Sequence, residues 1–153
     1  MISWFIFLSF CIGLVPICDC EPLPFDYDCE FDKNDNADAA LPLLLIIGES
    51  GVGKSTLLNY ISGTSNKSHP CNFETGSLQS TGVTTETKAQ KVKWLGTGQE
   101  FVAVDTPGLG DPGGNELDRE RASGIVDFLQ ALGDNIKINT ILYLHKGTGS
   151  KND

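Results

Sequence analysis

The chain has 153 residues, of which 40% are hydrophobic, and it is long enough to bury the core of one domain. Its 20 acidic residues outnumber its 11 basic residues and give a formal net charge of −9. Because a nucleic-acid-binding domain carries a clustered basic surface and the basic residues here are scattered, these values exclude a nucleic-acid partner.

The first predicted segment is an apolar N-terminus at residues 1–20. Residues 2–18 are almost wholly apolar or small, but this run of 17 residues is interrupted by Pro16. It is short for a membrane-spanning helix, which needs about 20 residues. Small residues, Cys18 and Cys20, precede a candidate cleavage point, although the usual basic start is missing. We therefore predict a secretory signal peptide. An uncleaved membrane anchor and a wrongly assigned first exon are the alternatives, and the localisation stays open.

An acidic segment follows at residues 21–40. Residues 19–38 carry a net charge of −7, which is most of the charge of the whole chain. Such a composition is typical of a solvated, disordered linker, with a calcium or partner site as the alternative. Of the five cysteines, only Cys71 lies beyond this linker. We therefore predict a fold that is not stabilised by a disulfide.

A glycine-rich loop provides the strongest chemical signal. It follows the apolar run Leu43–Ile47, which predicts a buried strand, and precedes a helix predicted to begin with Lys54–Ile61 and to end near Ser62-Gly63. In this context glycines let the backbone wrap a phosphate, and the helix N-terminus adds positive potential. Lys54 would reach the β- and γ-phosphates, and the Ser55 hydroxyl would bind Mg²⁺. The predicted phosphate-binding residues are Gly48, Glu49, Ser50, Gly51, Val52, Gly53, Lys54, Ser55 and Thr56.

The remaining elements predict an α/β fold. Strands at Thr85–Trp94 and Glu100–Val104 flank a five-residue turn that contains two glycines, which indicates an antiparallel hairpin. A helix predicted at Asn115–Leu132 is followed by an apolar strand at Ile138–Leu144. We therefore predict a doubly wound, mostly parallel sheet with an antiparallel edge hairpin.

A second motif, Asp105-Thr106-Pro107-Gly108, follows the strand that ends at Val104. An aspartate at a strand end near a phosphate loop can hold Mg²⁺, often through a water. A glycine three residues later has no side chain to keep its N–H from the γ-phosphate. Asp105 and Gly108 therefore join the predicted nucleotide site, although these residue types also favour ordinary turns.

Together these motifs resemble those of the P-loop GTPases, in which the loop is followed by Asp-x-x-Gly. Residues 48–59 (GESGVGKSTLLN) are similar to the septins. Residues 81–85 (TGVTT) and 105–111 (DTPGLGD) more closely resemble the avirulence-induced, immunity-associated GTPases of the same superfamily. The resemblance covers roughly residues 41–148. It implies a Ras-like G domain whose ligands are GTP and GDP together with Mg²⁺.

The resemblance also implies a metal ligand from the long polar loop at residues 62–82, which would be the first switch. In such GTPases a threonine from the connection between the first helix and the second strand reaches Mg²⁺. Thr84 is the best match, with Thr81, Thr85 and Thr87 nearby. The predicted metal ligands are then Ser55, Thr84 and Asp105.

Leu109 stands where Ras-like GTPases carry the glutamine that orients the attacking water. We therefore expect slow hydrolysis of GTP to GDP by the isolated chain, and assign no catalytic residue. The resemblance further implies a homo- or hetero-dimer through the nucleotide face and association with a membrane. An ATP-using P-loop enzyme and a truncated module that binds no nucleotide are the alternatives.

The guanine-reading motif of this superfamily is not placed in the sequence. Ser150–Asp153 match its letters, but they follow the strand at Ile138–Leu144 with no further helix and strand between. We therefore expect residues 41–153 to be a partial G domain, incomplete at its C-terminus. Its preference for guanine over adenine rests on the resemblance alone.

Overall fold

The computed structural model describes residues 28–76, 84–110, 114–134 and 136–147. The predicted signal peptide, Thr81 and Ser150–Asp153 lie outside these ranges, so what was expected of them stays a prediction. No helix within the described ranges is long and apolar enough to cross a membrane. The elements in chain order are α1 (Asn36–Ala39), β1 (Leu43–Gly48), α2 (Lys54–Ser62), β2 (Lys88–Lys93), β3 (Glu100–Asp105), α3 (Asn115–Leu132) and β4 (Ile138–Leu144).

The four strands form one sheet in the order β2–β3–β1–β4. β1 pairs in parallel with β3 on one side and with β4 on the other. β2 and β3 form an antiparallel hairpin at the edge. The predicted α/β fold class is confirmed, including the mostly parallel sheet and the edge hairpin.

Side chains of β1 alternate between the two faces of the sheet. Leu44 and Ile46 pack with Leu58 of α2, whereas Leu43 and Leu45 pack with the C-terminal part of α3. All five side chains are buried. β1 therefore has no polar face, as a central strand covered by helices on both sides requires. This arrangement brings the carboxyl ends of β1 and β3 to the same edge of the sheet.

Most predicted boundaries agree with the structure. The helix at Asn115–Leu132 and the strand at Ile138–Leu144 are found at the predicted residues, and α2 ends at Ser62 as predicted. The first hairpin strand is shorter than expected and begins at Lys88. It begins late because the chain first passes beside α2, where Thr84 contacts Ser55.

Residues 28–40 pack against the sheet, which differs from the disordered linker that we expected there. The backbone N–H of Lys91 on β2 donates to the carbonyl of Cys29 at 3.1 Å. The Lys91 ammonium group contacts the carboxylates of Asp28 at 2.9 Å and Asp38 at 3.0 Å. These two carboxylates raise the pKa of Lys91. The acidic segment thus has a charged partner on the fold, which its composition does not reveal.

A disulfide joins Cys29 to Cys71, so the prediction of a fold without one is wrong. The two Cα atoms lie 5.4 Å apart although 42 residues separate them in the sequence. Cys71 is buried in the core with Phe73 and Leu58, while the contacts of Lys91 bring Cys29 to the same place. The disulfide therefore fastens the N-terminal segment to the loop that follows α2.

Reduction of this disulfide is expected to destabilise the chain. Closing a loop of 42 residues removes conformational entropy from the unfolded chain worth about 4 kcal/mol. Urea unfolding with and without dithiothreitol measures the loss. A double variant, Cys29→Ser with Cys71→Ser, is the control, because its midpoint should not respond to the reductant. Equal midpoints for the oxidised and reduced natural chain would contradict the prediction.

Candidate functional site

The carboxyl end of β1 passes directly into loop 49–53 and then into α2. Gly48 ends the strand with a φ of 148°, a conformation that residues with a side chain rarely adopt. A Cβ at this position would lie 2.0 Å from the backbone oxygen of Leu144, so only glycine lets β1 and β4 approach here. α2 begins at Lys54 without a side-chain cap. The N–H groups of its first turn are therefore left for a ligand or solvent.

The loop packs against residues 106–110, which follow β3. The N–H of Ser50 donates to the carbonyl of Leu109 at 2.8 Å, and the N–H of Leu109 donates to the carbonyl of Gly48 at 3.1 Å. Gly108 fits into this contact because it has no side chain. A Cβ there would lie 2.3 Å from the Cα of Ser50. The two predicted motifs are thus joined into one backbone unit.

Lys54 is buried at the start of α2. Its ammonium group donates to the carbonyls of Gly48 at 3.2 Å and Glu49 at 3.0 Å, so the side chain folds back along the loop. Burial lowers the pKa of Lys54, Asp105 opposes this effect, and Arg121 adds to it. An anion bound at the loop would stabilise a cation in such surroundings.

Three oxygen-bearing side chains converge beside Lys54. The Ser55 hydroxyl donates to Oδ2 of Asp105 at 2.6 Å and lies 3.2 Å from Oγ1 of Thr84. The Thr84 hydroxyl is 3.4 Å from the same carboxylate oxygen. The structure therefore brings together the three predicted metal ligands, although they come from separate segments of the chain.

The carboxylate of Asp105 is buried and only partly satisfied. Burial raises its pKa, while the hydrogen bond from Ser55 and the charge of Lys54 lower it. Its other oxygen, Oδ1, has no hydrogen-bond partner among the described residues.

The chemistry of this donor set fits Mg²⁺, which prefers oxygen ligands and often takes one or two carboxylates, several waters and substrate phosphates. The described ranges contain no cluster of three or more His, Cys, Asp or Glu side chains that could hold a metal ion. A cation at Asp105 would therefore depend on the hydroxyl groups and on a bound phosphate.

The Glu49 side chain points to residues that follow β4. Its carboxylate contacts the imidazole of His145 and accepts the backbone N–H of Lys146 at 3.3 Å. This contact connects the loop to the end of β4, and a direct contact of Glu49 with phosphate stays a prediction. The remaining predicted positions are exposed or half-exposed on the loop and the first turn of α2: Gly51, Val52, Gly53 and Thr56.

Sequence reasoning missed two side chains of α3 that contact the site. Nη1 of Arg121 donates to the carbonyl of Gly108 at 2.8 Å. The carboxylate of Asp118 accepts the N–H of Gly110 through both oxygens, each at 3.0 Å. Their spacing of three residues indicates a shared helix face. Nothing in the sequence says which face of α3 meets the loop.

The fold and this loop define the class of P-loop nucleotide-binding proteins. A family model described as the 50S ribosome-binding GTPase matches residues 44–151, which is most of the chain. The chain belongs to this family and is a GTP-binding protein with a G domain. No curated protein matches the chain.

Asp105→Asn is expected to stabilise the chain at neutral pH when Mg²⁺ and nucleotide are removed with EDTA. Burial raises the pKa of Asp105 in the folded chain above its ordinary value of 3.8, so ionisation favours unfolding. The contribution of Asp105 to the free energy of unfolding is therefore greatest below pH 3.8. It is lost as the pH rises from there through the pKa of the folded chain.

Urea unfolding measures the difference in free energy of unfolding between Asp105→Asn and the natural chain, at pH values from about 3 to about 8. The advantage of the variant should appear as the pH rises and vanish in acid. Asp127→Asn, on the exposed face of α3, is the matched control for the loss of one carboxylate. A less stable Asp105→Asn chain at neutral pH would contradict the prediction.

Proposed function

We propose that this chain is a switch or assembly GTPase that binds GTP and GDP with Mg²⁺ and hydrolyses GTP slowly. Within the P-loop GTPases we assign it to the septin-like groups, closest in motif to the avirulence-induced, immunity-associated branch. The observation that carries the proposal is the convergence of Ser55, Thr84 and Asp105 beside the buried Lys54.

The phosphate side of the proposal depends on Lys54 and the backbone of loop 49–53. The ammonium group now donates to two loop carbonyls, so it already lies along the surface that a phosphate would meet. Exchange of neutral carbonyl acceptors for a phosphate would hold this ammonium group more strongly, because the attraction between opposite charges is added to its hydrogen bonds. The uncapped start of α2 supplies further donors.

The metal side of the proposal assigns Ser55 and Thr84 as hydroxyl ligands and Asp105 as the carboxylate that holds the ion, directly or through a water. Bound Mg²⁺ would neutralise charge on the β- and γ-phosphates. The residues themselves already exclude water from the carboxylate, since Asp105 is 2% exposed. Its unpartnered Oδ1 would gain a ligand or a bound water when the ion enters.

The switch is proposed to depend on Thr84. Its hydroxyl is 3.4 Å from Asp105 and 3.2 Å from Ser55, and both distances are longer than an ordinary hydrogen bond between two oxygens. A contact of this length contributes little free energy, so metal and γ-phosphate would decide whether Thr84 stays in the site. The backbone N–H of Gly108 would donate a hydrogen bond to the same phosphate from the other side.

Slow hydrolysis follows from Leu109. Its backbone N–H and carbonyl are both used in the pairing with Gly48 and Ser50, and its apolar side chain cannot orient a water. We propose that a second subunit at the nucleotide face or another partner supplies the missing group, and that the chain acts at a membrane.

Lys54→Ala is expected to weaken GDP binding by about 10- to 100-fold, because hydrogen bonds to a charged group contribute about 1.5–3 kcal/mol. Fluorescent GDP and Mg²⁺ are titrated with the full chain, and unlabelled GTP, GDP and ATP are added as competitors. Lys137→Ala, an exposed lysine directly before β4 at the opposite edge of the sheet, is the matched control and should bind like the natural chain.

Competition by GTP and GDP but not by ATP supports the proposal. Equal competition by ATP would favour an ATP-using P-loop enzyme. Absence of binding by the folded natural chain would favour a module that serves only in association.

Single-turnover hydrolysis of GTP is expected at about 10⁻⁴ s⁻¹ or below, which is the order of an intrinsic GTPase rate without an added arginine. The rate constant should rise with protein concentration if a second copy completes the site. Phosphate release is measured over a hundred-fold range of concentration, with Lys54→Ala as the blank. A fast rate that is independent of concentration would contradict the assignment of Leu109.

A further inference from the structure

We propose that Arg121 is a positioning residue that holds the Gly108 peptide in the geometry that distinguishes a nucleoside triphosphate from a diphosphate. This inference rests on the proposed function of the same site. Its observation is the 2.8 Å hydrogen bond from Nη1 of Arg121 to the carbonyl oxygen of Gly108. Arg121 is half-buried on α3, thirteen residues beyond the glycine that it contacts.

The bond from Arg121 completes the restraint of one peptide plane. The carbonyl of Gly108 and the N–H of Leu109 belong to the same peptide unit, which is planar. The carbonyl accepts from Arg121 on α3, and the N–H donates to Gly48 at the end of β1. The unit is therefore held at both ends by two different elements, and its orientation cannot change unless one of these bonds breaks.

Asp118 restrains the next residue in the same way. Its carboxylate accepts the N–H of Gly110 through both oxygens. Asp118 and Arg121 are three residues apart and lie on one face of α3. The helix thus contacts the segment on both sides of Leu109. Arg121 donates to Gly108 before it, and Asp118 accepts from Gly110 after it.

These restraints bear on the γ-phosphate because of where Gly108 lies. Its Cα is packed against Ser50 of the phosphate loop, where a Cβ would come within 2.3 Å of the Ser50 Cα. The N–H of Gly108 is in the peptide directly before the one that Arg121 holds. Without the bond from Arg121, the chain can rotate about the Gly108 Cα–C bond. The Gly108 N–H would then no longer be held in the direction of the γ-phosphate. A contact made by a triphosphate alone would be weakened, whereas contacts shared with a diphosphate would remain.

The charge of Arg121 acts at short range on the same site. Its guanidinium group is close enough to lower the pKa of Lys54. The removal of this charge would therefore weaken all phosphate binding to a small extent, and the test must separate this general effect from the positioning effect. The ratio of two affinities provides that separation.

The test compares affinities for GDP and for a non-hydrolysable GTP analogue, both with Mg²⁺, in the full chain. Arg121→Ala is expected to lower the ratio of analogue affinity to GDP affinity by about tenfold, the effect of about 1.4 kcal/mol on one ligand only. Arg121→Lys keeps a cationic donor and should keep most of the ratio. Arg119→Ala removes an exposed arginine from the same helix and should leave both affinities unchanged.

Each outcome decides the inference. An unchanged ratio in Arg121→Ala, or equal losses for both nucleotides, would overturn the positioning role. If Arg121→Ala lacks the far-ultraviolet spectrum of the natural chain, Arg121→Met replaces it, because methionine keeps a long unbranched side chain but has no hydrogen-bond donor. An unchanged ratio in Arg121→Met would again overturn the role. If the natural chain binds neither nucleotide, the proposed function fails together with this inference. If the natural chain binds both nucleotides and Arg121→Ala has the same ratio of affinities, only the role of Arg121 is overturned and the proposed function stands.

Discussion

The site depends on the close approach of two backbone segments, at Gly108 and at Ser50. The distance is short enough that a single methyl group at Gly108 would overlap the Ser50 Cα. Parallel pairing of β1 with β3 brings the two segments to the same edge of the sheet, and the bonds between Ser50, Leu109 and Gly48 then hold them together. The phosphate loop and the segment after β3 are therefore one structural unit, and neither can be displaced without the other.

This unit concentrates charge in a place where water cannot neutralise it. Lys54 and Asp105 are both buried, and burial shifts the pKa of each toward its neutral form. Each also favours the charged form of the other, because Asp105 raises the pKa of Lys54 and Lys54 lowers the pKa of Asp105. A bound phosphate beside Lys54 and a cation beside Asp105 would relieve both costs at once, which gives a physical reason for the two ligands to bind together.

The sheet and its central contacts could be predicted because they follow from local patterns. An apolar run at Leu43–Ile47, a glycine loop and a helix start are adjacent in the sequence, and Asp105 ends the strand that pairs with that run. Since carboxyl ends of parallel strands share an edge, Lys54, Ser55 and Asp105 had to come close. Thr84 required the family resemblance, because it lies outside any strand or helix.

The contacts that sequence reasoning missed depend on tertiary placement. Asp118 and Arg121 face the loop only because α3 packs on the sheet with Ile125 and Leu132 inward, and a small rotation of the helix would turn them away. The pairing of Cys29 depends on Lys91, which offers its backbone N–H to one residue of the acidic segment and its ammonium group to two others. Neither the net charge of the acidic segment nor the spacing of the cysteines predicts this contact with Lys91.

The disulfide gives the chain two stabilities rather than one. Glutathione and thioredoxin keep cytosolic thiols reduced, whereas oxidising compartments preserve the bond between Cys29 and Cys71. A domain of ordinary size has a net stability of about 5–15 kcal/mol, so a crosslink worth about 4 kcal/mol is a large share of the total. The lifetime of this protein against unfolding and proteolysis would therefore depend on the side of a membrane on which it folds.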